Sequence, residues 1–104
     1  MVNPQRGEVA VSVGGAAKTM RLTLGALAAL EARLETGGLV ALAERFESGR
    51  FGADDLIALL TAGLRGAGEE IDEAEVAEMP FDGGAVAAAE AAATLLAISF
   101  RGAA

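Results

Sequence analysis

The chain has no cysteine, histidine, tyrosine or tryptophan, and its 104 residues include two prolines and four phenylalanines. Each absence excludes some chemistry. Without cysteine there is no disulfide, no thiolate nucleophile and no Cys-based metal site. Without histidine the chain lacks the usual general base near neutral pH and the commonest zinc ligand. The missing tyrosine and tryptophan are the aromatics most enriched at binding hot spots. Catalysis would fall to carboxylates, hydroxyls, Lys18 and seven arginines. The expectation is a non-enzyme with no cofactor, no metal and no catalytic residue.

Charge is present but unevenly placed. The net charge is −7, made of +1 over residues 1–52 and −8 over residues 53–104. Glu69 to Asp82, "EEIDEAEVAEMPFD", holds seven acids and no base. Such a surface repels a polyphosphate backbone and disfavours nucleic acid as a partner. Close to half of the apolar residues are alanine. Alanine favours helix but buries little area, so the core depends on a small set of Leu, Val, Ile, Met and Phe. The length suits one domain over 1–104, large enough to fold without staples. The N-terminus lacks the basic-plus-apolar pattern of a signal segment, because Asn3, Pro4, Gln5, Arg6 and Glu8 interrupt it.

Two short alternating runs open the chain. Val9, Val11 and Val13 fall on one face of the first, and Met20 and Leu22 on one face of the second. The four-residue link Gly14-Gly15-Ala16-Ala17 joins them, and the pattern predicts a β-hairpin over 6–22. A hairpin alone is marginal in water, so its apolar face requires a cover. Helical periodicity supplies one. Thr23 is positioned to cap a helix over about 24–35 with Leu24, Leu27, Leu30 and Leu34, ended by Gly37-Gly38. A second helix covers about 39–48 with Leu39, Leu42, Ala43 and Phe46 on one stripe. A third, about 53–65, starts with Asp54 and Asp55, whose charge suits the helix dipole, and is closed by Gly66 and Gly68. Asp72 and Glu75 form a capping-box variant for a short helix over about 73–78, which Pro80 ends. Asp82 is placed to cap a last helix over about 83–100. The predicted class is α+β, mainly α: a hairpin followed by four to five short helices.

Several stretches resemble functional motifs but fit simpler roles. Ser12–Thr19, "SVGGAAKT", resembles the start of a phosphate-binding loop, but G-x-x-x-x-G-K-[ST] would need glycine where Ser12 and Ala17 stand. The segment after it alternates like a strand and does not open a helix, so the glycines are read as a turn. The acids around Asp72 lack EF-hand spacing and read as a solvated, capped helix start. No Trp or Tyr is present to accompany paired carboxylates in carbohydrate chemistry. "GGAVAAAEAAATLLAISF", Gly83–Phe100, is apolar but short, alanine-rich and interrupted by Glu90, so a packed helix is expected and no membrane span. Its large residues gather at the end, where Leu95, Leu96 and Phe100 are candidates to anchor either the core or a protein partner. Arg33, Arg45, Arg50 and Arg65 are spread over the helices and read as surface residues or local ion pairs.

"NPQRGEV", "LTLGALAALEARL", "LAERFESGRF" and "DLIALLTAGLRGAG" together resemble the small tail-assembly chaperones of gene transfer agents and related phages. The resemblance runs in order from Asn3 to Asp82, with Leu22–Leu34 and Asp55–Gly68 as its most specific parts. It implies a non-enzymatic chaperone in the bacterial cytoplasm, binding a helical tape-measure protein, and in some settings tail-tube subunits, before the tube polymerises. Self-association into a homo-oligomer is a further expectation. The alternative is a minor structural or connector protein that stays in the tail.

Overall fold

The computed structural model describes residues 3, 6–34 and 38–101, with the backbone alone at Arg101. Its order is a hairpin, β1 (Glu8–Val13) and β2 (Ala16–Arg21), followed by five helices: α1 (Leu24–Leu34), α2 (Gly38–Ser48), α3 (Ala53–Gly66), α4 (Glu73–Ala77) and α5 (Gly84–Arg101). The fold is α+β and mainly helical, as the periodicity predicts.

The hairpin is tighter than the four-residue link implies. Val13 pairs with Ala16, so the turn is Gly14-Gly15 alone, and Ala16 and Ala17 belong to the strand. Both glycines have positive φ, +58° and +82°, the conformation of a two-residue turn whose twist matches the flanking strands. Ala16 and Ala17 carry no alternation that would mark them as strand. β2 ends at Arg21, so Leu22 lies beyond the ladder and packs half-buried against the core.

Helix starts follow local chemistry closely. Thr23 Oγ1 accepts from the Ala26 N–H at 3.0 Å and caps α1. Asp72 and Glu75 form the reciprocal box: the Glu75 N–H donates to Asp72 at 2.9 Å, and the Asp72 N–H to Glu75 at 3.2 Å. Asp55 plays a similar role at α3, where its carboxylate accepts from the Gly52 N–H at 2.9 Å. The expected helix end at Gly37 lies outside the described residues, and Gly38 opens α2.

Asp82 does not cap α5. Gly83 and Gly84, at φ +82° and +69°, turn the chain sharply as it enters the helix. Its carboxylate reaches the hairpin turn instead, accepting from Ser12 Oγ at 2.5 Å and from the Gly15 N–H at 2.8 Å. The adjoining backbone joins in: the Asp82 N–H donates to the Ser12 carbonyl and the Gly14 N–H to the Pro80 carbonyl, while Val13 and Phe81 form an isolated bridge. These contacts cover the turn end of the β1 edge.

α3 lies on β2 and α5 on β1, and α1 and α4 also flank α3. Met20, Leu30, Leu42, Leu59, Leu60, Leu64 and Leu95 are fully buried between them, each contributing about 2 kcal/mol by removal from water. Two glycines of α3 permit this closeness. A Cβ on Gly63 would lie 2.7 Å from Leu95 Cδ2 and 3.0 Å from Met20 Cβ. One on Gly66 would lie 1.8 Å from the Arg21 carbonyl oxygen, inside any tolerable contact. Leu24 departs from its predicted stripe and is 86% exposed. Steps of three residues fall about 60° short of a full turn, so Leu24 points roughly 120° away from Leu30.

Candidate protein-interaction groove

Arg33, Arg45, Arg50 and Arg65 are each engaged locally. Arg33 makes a two-pronged pair with Glu73 at 3.0 and 3.1 Å, and Arg45 does the same with Asp55 at 3.2 and 3.1 Å. Arg65 Nε donates to the Ile71 carbonyl at 2.6 Å and Arg50 Nε to the Ser48 hydroxyl at 3.2 Å. A hollow of about 300 Å³ between α1 and α3 contains Arg33, Arg65 and Glu73, but these engagements hold its charged groups together. Lys18, the lysine of the phosphate-loop-like stretch, sits at the sheet rim, where its ammonium pairs with Glu69 at 2.7 Å. These pairs are partly exposed, so each contributes little to stability.

The fold changes the acidity of Asp82. The hydrogen bond from Ser12, and then that from the Gly15 N–H, favour the charged carboxylate and hold its pKa below the usual carboxylate range. Its role is to clasp the hairpin. Among the described residues, no group of three or more His, Cys, Asp or Glu is gathered closely enough to hold a metal ion, and no helix is long and apolar enough to cross a membrane.

On the other side of the molecule, α2 and α5 leave a groove. Phe46 and Phe51 stack with ring centroids 4.3 Å apart and planes 3° from parallel, forming part of its floor. Two adjoining hollows, of about 190 and 410 Å³, share Phe46 and Ala93. One continues to Leu96, Ala97 and Phe100, and the other to Leu56, Val86 and Ala89. Small alanines on α5 keep the groove open, because they cannot fill the space beside α2. Glu47 on α2 and Glu90 on α5 edge it.

The three residues proposed from sequence divide here. Leu95 is fully buried beside Gly63 and belongs to the core. Leu96, 3% exposed, is a core residue that also reaches the groove floor. Phe100 is 47% exposed at one end, and Val86, 72% exposed, stands near the other. Val86, Ala93, Glu47 and Glu90 are not among the contact candidates that the sequence suggests. The available signal was the spacing 86, 89/90, 93, 97, 100, a second helical stripe on α5 beside the one carrying Ala88, Ala92, Leu95 and Leu96 into the core.

Apolar floor, exposed large residues at both ends and carboxylate edges make this groove the candidate surface for protein–protein contact. Residues 6–102 match the family described as phage tail tube protein, GTA-gp10, and the chain belongs to that family of gene transfer agent and phage tail proteins. No curated protein and no solved structure matches the chain.

Proposed function

We propose that the protein is a non-enzymatic structural component of a phage-like tail, retained in the particle and held there by contacts to other tail subunits. The match to a tail tube protein family over residues 6–102 carries this reading. The α2–α5 groove supports it, since exposed Val86 and Phe100 on a half-open apolar floor suit burial against another subunit. In this reading the partners are other tail proteins, tube subunits among them, with copies of the chain itself a further option. Assembly takes place in the bacterial cytoplasm.

A second reading is a tail assembly chaperone that binds the tape-measure protein before tube polymerisation and then leaves. What favours it is the pairing of an open groove with a net charge of −7, which would keep a complex with an apolar helix soluble. Quantitative mass spectrometry of purified particles separates the two. Stoichiometric protein in finished tails supports the structural component; its absence from tails, with a tape-measure complex in the producing cells, supports the chaperone.

A further inference from the structure

We propose that the α2–α5 groove receives one amphipathic helix of a different protein, bearing lysine or arginine beside its apolar stripe. This rests on the reading of the chain as a protein-binding tail component and adds which surface binds and what chemistry fits it.

The floor dictates the shape of the occupant. From Val86 to Phe100 the α5 wall spans 14 residue steps, about 21 Å of helix, or close to four turns. Its exposed row recurs every three or four residues, so an incoming helix presenting apolar side chains at the same period can interlock with it. The alanines at 89, 93 and 97 allow the close backbone approach that a helix laid along the groove needs. The partly exposed Phe100 and Val86 then become buried anchors at the two ends.

The edges dictate its charge. Glu47 and Glu90 stand one on each wall, and neither carboxylate has a cationic or hydrogen-bonding partner among the described residues. Both would lose water when the groove is covered, which costs free energy unless a cation meets them. Arg45, the nearest basic residue in sequence to Glu47, is already committed to Asp55. An occupant that brings its own cations meets both edges at once. A second copy of the chain serves poorly. A two-fold contact lays the same acid-edged patch on itself and brings two chains of net charge −7 together, with no described, uncommitted cation on the groove walls to offset Glu47 and Glu90.

The test uses a labelled 18-residue synthetic helix with leucine at the period of the α5 row and lysine on both flanks, compared with the same peptide carrying glutamate for lysine. Fluorescence anisotropy is expected to show the lysine peptide binding about tenfold more tightly than the glutamate peptide. Glu47→Lys combined with Glu90→Lys should reverse that preference, and Phe100→Ala should weaken the lysine peptide about tenfold. All three positions are exposed, and circular dichroism and thermal melts check that the variants fold. Equal binding of both peptides, or binding indifferent to these variants, overturns the proposal. So does a wild-type dimer, seen by sedimentation, that Phe100→Ala dissociates, because the occupant is then a second copy. Failure of the groove and failure of the tail-component reading are separable. Charge-reversed protein that still enters tails stoichiometrically, with peptide preference unchanged, defeats the groove alone. Wild-type protein absent from tails, with peptide preference intact, defeats retention alone.

Discussion

The seam between the hairpin and α3 and the seam between α2 and α5 solve the same packing problem in opposite ways. At the first, glycine lets backbones touch: Gly66 rests against the Arg21 carbonyl and Gly63 against Met20 and Leu95. At the second, alanine leaves the space between two helices unfilled, and it stays open with Phe46, Phe51 and Phe100 around it. Both use small residues, yet one seam is sealed and the other is a groove. The difference lies in what faces the small side chain. A long Leu or Met fills the space beyond a glycine, whereas Ala43 opposite Ala93 and Ala97 leaves it vacant. Small residues thus serve packing in one half of this molecule and access in the other.

The sharpest way to break this contrast is Gly66→Ala. One methyl group placed 1.8 Å from a backbone oxygen forces β2 and α3 apart, and a loss of about 3 kcal/mol is expected in urea denaturation. A much smaller loss would mean that the hairpin can slide on α3 and that the seam is not sealed. Asp72→Ala, which removes the α4 cap away from both seams, should cost about 1 kcal/mol by the same measurement.

The Asp82 clasp sharpens the hairpin side through pH. Its folded pKa is lowered, so the clasp contributes fully above the usual carboxylate range and is lost as pH falls through the folded value. Thermal melts should therefore show Asp82→Asn less stable than the wild type at neutral pH, with the gap closing in strong acid. Equal stability of the two at neutral pH would assign the clasp to the backbone contacts of Pro80, Phe81 and Asp82, which the substitution leaves in place. The smallest effect belongs to the groove. Ala93→Leu adds far more volume than Gly66→Ala, yet into open space, and stability should stay within about 0.5 kcal/mol. The same substitution should block the lysine-flanked peptide, which anisotropy would register.

Much of the local structure was legible because its causes are local. Thr23 three residues before Ala26, and Asp72 three before Glu75, are chemical signals within one turn, and the capped helices start there. The alternating valines gave the buried face of β1 for the same reason. What was misread depended on distant partners. Ala16 and Ala17 look like loop, yet the Gly14-Gly15 turn brings them into register with Val13 and Ser12. Asp82 looks like a helix cap, yet its hydrogen-bonding partner Ser12 is 70 residues away. Leu95 and Phe100 look alike in a row of large side chains, yet five residues are 500° of helix, which turns one inward and the other toward the groove rim.

The sequence by itself determined the absence of cysteine and histidine chemistry, the acidic second half, the hairpin and the order of the helices that follow it. Those follow from composition, period and capping, which act over a few residues. Only the tertiary structure decided that Gly63 and Gly66 are contact points, that Asp82 clasps the hairpin, and that the alanines of α5 line an open groove edged by Glu47 and Glu90. Each depends on which side chain arrives from another element, and a one-dimensional pattern cannot specify that.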